Sequence, residues 1–355
     1  MDSFVSSRWR PMQPKDVREC VEIVASHPVV GPRYGAAIAD LPKAWLRLLT
    51  SDAMLTGVFE ETEGGRIRPW CIGVSVIVTD DFLEELKKPP LSWIGPELAR
   101  WLARDESPLL SARQLREANM AGGLNAVVWE GCIRAGYEDR PDLFHHIMGG
   151  FLDSHRGYLW KEIVASNAES VDRLERTLYS GGRLWDPAAG RYVEAAERDL
   201  QEVVGEPHIV GATRDIARAR QSNWVDALFH YRPPQVGFSR AEQLLLLRAF
   251  RNEAGTDEEL AAALKVSMPT VKKMWLSIHR RAAGLPELAP DGGEPGHDPA
   301  RRGKEKRRRL LAYLRDHPEE LRPLSRKAIA TRGFTPSRFL HAALATIEQE
   351  TGAVR

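Results

Sequence analysis

The chain has 355 residues, enough for two or three domains at roughly 100–200 residues each. Its hydrophobic content is 43% and charged content 28%, ordinary for a globular protein with a sizeable core and unlike a disordered or fibrous chain. Fifty Lys+Arg stand against 49 Asp+Glu, so net charge points to no partner and any nucleic-acid signal must come from local clustering. Cys20, Cys71 and Cys132 are far apart and form no C-x-x-C pair, which indicates neither a disulfide framework nor a zinc site. With the polar start "MDSFVSSRWRPMQPKD" and no apolar run near the ~20 residues of a membrane helix, a reduced cytoplasmic location is expected.

In chain order, "SSRWRPM" predicts a short strand, and "PKDVRECVEIVASHP" predicts a helix from Val17, Cys20, Val21 and Val24 at helical spacing. "AMLTGVFEE" and "WCIGVSVIVTDDF" predict strands joined by the turn "TEGGRIRP". "LNAVVWEGCIRA" predicts another strand, "RPDLFHHIMGGFLDSHRG" a helix, "LWKEIVAS" a strand and "AESVDRLERTLYSGG" a helix with a Gly stop. "GRLWDPAAGRYVEA" has hairpin character. Residues 206–237 are assigned to a helical connector ending in the stiff spacer Pro233-Pro234.

"SRAE" (Ser239–Glu242) and "TDEE" (Thr256–Glu259) are capping-box patterns at the heads of two helices. Ser267 is placed to cap a third, with Pro269 in its first turn. On that third helix Val271, Met274, Trp275 and Ile278 form an apolar seam, Lys273 and Arg280 lie nearly opposite, and Lys272, Leu276 and Ser277 flank them. A short helix with a buried seam and a basic outer face suits the major groove. The Pro/Gly-rich "GLPELAPDGGEPGHDPA" (284–300) predicts a linker. The basic run "RRGKEKRRR" then opens a helical extension, 301–355, in which Arg307 and Arg308 are candidate phosphate contacts; "FTPSRFLHAALATIEQETG" predicts a late helix capped by Thr335 with Pro336 in its first turn.

"FSRAEQLLLLRAF", "TDEELAAALKVS" and "TVKK" resemble the helix-turn-helix of LuxR-type regulators over Phe238–Ala283; region 4 of sigma factors shares the motif. The resemblance implies Thr270, Lys272 and Lys273 at a double-stranded DNA surface; Ser277 and Arg280 on the same helix, and Arg307 and Arg308 of the basic run, are expected to join them. Met268 stands where that family usually has Pro after the capping Ser. The order of elements over 1–205 resembles the GNAT acyltransferase fold, which implies an α+β domain with a mixed sheet. The family's pyrophosphate-binding turn is replaced by "RAGYEDRPD", whose Glu138, Asp139 and Asp142 would repel a phosphate. The resemblances together imply a transcription regulator, expected as a homodimer, whose GNAT-like domain serves ligand sensing or dimerisation without acetyl-CoA or another cofactor. The alternative is a working CoA-dependent acyltransferase with an appended helix-turn-helix.

Weaker candidates are His145, His146 and His155 as metal ligands, and Glu130 as a general base. The histidines are expected as ordinary surface or half-buried residues without a metal, and Glu130 as a polar residue on an exposed strand face. Trp9, Trp45, Trp70, Trp93, Trp101, Trp129, Trp160, Trp185 and Trp224 read first as core, with an apolar ligand cavity as the second use.

Overall fold

The structure is a computed structural model; it describes residues 8–63, 66–104, 107–137, 140–166, 168–219, 224–251, 255–288 and 299–323. The chain divides into two compact units, with the boundary after His230.

The first unit is α+β. It opens with β1 (Arg8–Arg10), α1 (Val17–Ser26), α2 (Val30–Tyr34) and α3 (Leu41–Leu48), then the long antiparallel pair β2 (Met54–Glu63) and β3 (Arg66–Val78). Helices α4 (Asp80–Leu86), α5 (Ile94–Ala103) and α6 (Ala112–Met120) precede β4 (Leu124–Ile133). There follow α7 (Pro141–His155), β5 (Trp160–Ala165), α8 (Val171–Tyr179), β6 (Arg183–Asp186), β7 (Arg191–Val193), α9 (Leu200–Gly205), β8 (Val210–Thr213), α10 (Arg214–Ala219) and α11 (Trp224–Phe229). The eight strands form one mixed sheet in the order β1-β2-β3-β4-β5-β8-β6-β7, with β4 and β5 parallel.

The predicted strands and the helices α1, α7 and α8 appear where the patterns put them. Three expectations are corrected. The strand "WCIGVSVIVTDDF" ends at Val78, because the Thr79 hydroxyl accepts a hydrogen bond from the Phe82 N–H and starts α4. The segments 29–52 and 83–123, without predicted elements, carry α2, α3, most of α4, α5 and α6. Residues 206–237 are not a connector: β8 inserts between β5 and β6, and Leu228 and Phe229 are buried in the main core, so the first unit runs to His230 rather than to 205. "HIVGAT" is too short to show a period, and its β character emerges only by pairing with "WKEIVA".

The second unit is a helical bundle of α12 (Arg240–Arg251), α13 (Asp257–Leu264), α14 (Met268–Ala282) and α15 (Pro299–Asp316). The caps are formed as expected: Ser239 with Glu242, Thr256 with Glu259, and Ser267 accepting from the Thr270 N–H. Lys265 takes the left-handed conformation (φ 50°) that ends α13 and reverses the chain into α14.

The separate basic extension expected from residue 301 is corrected over its described part. Leu310, Leu311, Tyr313, Leu314 and Leu321 share one core with Leu245, Leu246, Val271 and Ile278. Buried Glu320 accepts hydrogen bonds from the N–H groups of Gln235 and Val236, and its carbonyl accepts one from Gln243. The linker expected over 284–300 begins later than predicted, since Leu285 is buried in the same core. The expected late helix with Thr335 and Pro336 lies outside the described residues. Among the described residues no helix is long and apolar enough to cross a membrane.

Candidate functional site

Helix α14 sorts its side chains sharply. Val271, Trp275, Ile278 and Ala282 are buried against α12 and α13, and Met274 is half-buried. Thr270, Lys272, Lys273, Leu276 and Arg280 are exposed, Leu276 with 62% of its surface in water. Among the described residues Lys272, Lys273 and Arg280 have no carboxylate partner. The Thr270 hydroxyl lies 2.9 Å from the Ser267 hydroxyl at the start of the helix.

The remaining candidates are held by the bundle. Ser277 is half-buried and hydrogen-bonds Glu242, facing α12 and not the outer surface. Burial works to raise the Glu242 carboxyl, but Ser277, the backbone and hydroxyl of Ser239 and the Arg281 charge hold it below the usual range. Arg307 donates to Asp257 at 2.6 Å, and its guanidinium lies 4.1 Å from the centre of a Trp275 ring. It therefore pins α15 onto α13 and α14 instead of standing free for phosphate. Arg308 is exposed and pairs with Glu305 at 2.8 Å, one turn away on its own helix. Burial, with Lys306 and Arg307 nearby, holds His279 below its usual value, so it adds little positive charge to this face at neutral pH.

In the sheet unit the chemistry gathers on β4 just beyond the end of β5. Their parallel pairing covers Leu124–Val128, and β4 continues to Ile133. A bulge opposite Val74 and Ser75 makes Trp129 the extra residue, so Trp129 and Glu130 turn to the same face. There Trp129 donates to the Gly95 carbonyl of α5, and Glu130 accepts from the Tyr34 hydroxyl of α2 at 2.9 Å. The expectation of an exposed Glu130 is thus overturned, because helices cover both faces of the sheet. Only 3% of the residue is exposed, and burial raises its carboxyl to about 7. The same burial, with Glu130 adjacent, raises Tyr34 well above its usual value. Next to Glu130, Arg173 of α8 donates to the Gly131 carbonyl and to Glu169. No family model matches this chain, and no curated protein matches it.

His145 and His146 are exposed, whereas His155 is buried with its Nδ1 against the Phe151 carbonyl and the Ser154 hydroxyl. Among the described residues no group of three or more His, Cys, Asp or Glu could hold a metal. The three cysteines are buried and unbridged. Trp45, Trp70, Trp129 and Trp160 are fully buried core residues; Trp9 lines a cavity on the α7 side of the sheet. Residues 138 and 139 of the "RAGYEDRPD" loop, on which the phosphate argument rests, lie outside the described residues, as do the side chains of Pro141 and Asp142.

Proposed function

We propose that this chain is a DNA-binding transcription regulator. In this reading α14 enters the major groove of double-stranded DNA, and the sheet unit is a GNAT-like ligand-sensing or dimerisation module. The observation that carries it is the set of exposed Lys272, Lys273 and Arg280 without carboxylate partners, on a helix whose opposite seam is closed by Val271, Trp275 and Ile278. A solvated surface helix usually intersperses charges of both signs; a basic stripe beside the exposed apolar Leu276 suits phosphates and a thymine methyl together. Thr270 and Leu276 are then the base-facing residues, with Lys272, Lys273 and Arg280 divided between base edges and phosphates. The strand order and the parallel β4–β5 pair support the GNAT-like reading of the first unit.

The test is selection of duplexes from a randomised library by the full chain, then gel shifts on a selected and a random duplex. Lys272→Ala and Lys273→Ala are each expected to weaken binding by about 1–3 kcal/mol where they read a base, or to lower the salt slope by about 1 where they neutralise a phosphate. Unchanged binding by both variants, or no enrichment in the selection, ends this reading.

Glu130 favours a second reading, an acyltransferase, because a buried carboxyl near 7 suits a general base. Against it, the carboxylate is engaged by Tyr34, and Arg173 occupies the Gly131 carbonyl of β4 beyond the end of β5. Calorimetry of the full chain with acetyl-CoA, followed by a thiol-release assay with amine acceptors, separates the two.

A further inference from the structure

Three glycines lie side by side across the sheet. Gly57 of β2 pairs with Gly73 of β3, and Gly73 pairs with Gly131 of β4. Glycine inside a strand weakens it, so such a row needs a steric reason. Gly57 has one: a Cβ there would run into the Trp9 indole. Gly73 has none from packing, because a Cβ built on it meets nothing within 4 Å. It opens into a cavity of about 410 Å³ between this face of the sheet and α7, α8 and α11. That volume lies at the low end of small-molecule sites, which run to about 300–1,000 Å³.

The walls are mainly apolar: Phe59, Val128, Ile133, Phe144, Ile147 and Phe151. Gly150 lets α7 lie close on β2, since a Cβ there would sit 2.6 Å from Phe59 and from Trp9. The charged side chains at the lining each have a partner, Arg173 with Glu169 Oε1, Arg176 with Asp172, and Glu130 with the Tyr34 hydroxyl, and only Glu169 Oε2 is left over. An anionic ligand would have to break one of these pairs to reach an arginine. Besides the second Glu169 oxygen, which is buried without a partner, one neutral hydroxyl faces the same space. Ser75, two residues beyond Gly73 on the same face, is 3% exposed and lines the cavity, and among the described residues its hydroxyl has no hydrogen-bond partner.

We propose that this cavity binds a neutral, largely apolar small molecule that lies over Gly73 and forms one hydrogen bond with the Ser75 hydroxyl. The inference rests on the ligand-sensing part of the proposed function and not on DNA binding. A chain that takes up such a molecule and fails to bind DNA would sink only the helix-turn-helix reading, and the converse would sink only the cavity.

The probe is N-phenyl-1-naphthylamine, an apolar fluorophore with one N–H donor, titrated into the full chain. Saturable uptake at about one probe per chain is expected. Gly73→Leu should weaken it about tenfold or more by filling the space above the strand. Gly73→Ala, with a single added methyl group, should give a smaller loss in a fold that needs no rearrangement, and it decides the matter if the leucine variant does not fold. Ser75→Ala should weaken the probe about three- to tenfold, the fold-change of one neutral hydrogen bond. The sulfonated analogue 8-anilino-1-naphthalenesulfonate should bind more weakly than the neutral probe. Absence of saturable uptake, unchanged affinity in the folded Gly73 variants or in Ser75→Ala, or displacement of the probe by equimolar acetyl-CoA would overturn the proposal.

Discussion

Lys87 in the sheet unit and Lys273 in the bundle are placed in opposite ways. Lys87 is largely buried, paired with Glu162, and lies 4.4 Å from the centre of a Trp185 ring; Tyr192 joins the same carboxylate. Arg10 is likewise held by Asp16 and Glu60, and Arg173 by Glu169. Burying a cation without such partners would cost several kcal/mol. Lys273, with Lys272 and Arg280, is exposed and has no carboxylate partner among the described residues. The contrast teaches where to look for partners. Lys87, Arg10 and Arg173 are held by carboxylates of their own unit, whereas Lys272, Lys273 and Arg280 stand on the outer face of α14 without one among the described residues.

The largest expected effect tests whether the bundle's inner seam is what holds its basic face in place. Trp275→Ala should destabilise the bundle by about 3–5 kcal/mol, since the ring is 7% exposed and also carries the Arg307 guanidinium. With two units, unfolding should be followed by probes that resolve two transitions, and only the bundle's should move. A wild-type melt would show the seam is elsewhere.

Next comes the internal chemistry of the sheet unit. Burial raises Glu130 to about 7 in the folded chain, from an ordinary value near 4.5. The folded state therefore holds its proton over a range where the unfolded chain has lost it. Stability from this group is intact below about pH 4.5, falls as pH rises towards 7, and stays reduced above that. The loss is about 3 kcal/mol on the linkage scale. Arg33, Glu169 and Arg173 lie around the same carboxyl and set how far the fall is offset. Glu130→Gln should flatten the difference in urea midpoint between pH 5 and pH 8; an unchanged difference would remove Glu130 as its source.

Smaller effects sharpen the boundary between structural and displayed groups. Thr256→Ala removes the cap of α13 and should cost about 1 kcal/mol in chemical denaturation. Asp257→Asn should change stability by less than about 1 kcal/mol, because the pair with Arg307 is partly exposed. It should also raise DNA affinity slightly at low salt by removing a negative charge, and a large loss of stability would show that the pair carries more of the α15 contact than its exposure implies.

Much of this was legible in the sequence where one segment decides its own structure. The three caps of the bundle and the Val271/Trp275/Ile278 seam depend on spacings within a single helix, and they hold. What was not legible depends on partners far along the chain. Ser277 and Arg307 read as outward-facing until Glu242, Asp257 and Trp275 are brought beside them. The expected exposure of Glu130 fails because helices cover both faces of the sheet, which no single strand reveals. The cavity left one trace: each of "AMLTGVFEE", "WCIGVSVIV" and "VVWEGCI" carries a glycine inside a strand pattern. Their alignment into a row depends on register, which no single segment contains.

The sharing of one core between Leu245, Ile278, Leu310 and Leu314 has a consequence for how the protein is made. Chains emerge from the ribosome N-terminus first, at about 5–20 residues per second. Helices α12 to α14 leave the exit tunnel well before residues 310–321, which supply the last wall of their core. Until then Leu245, Leu246 and Ile278 lack part of their cover, and Glu320 is not there to receive the Gln235 and Val236 N–H groups. The surface displayed by α14 therefore matures only after synthesis has passed residue 321. A nascent chain stalled before that point would hold α12 to α14 with an unfinished core, open to chaperones.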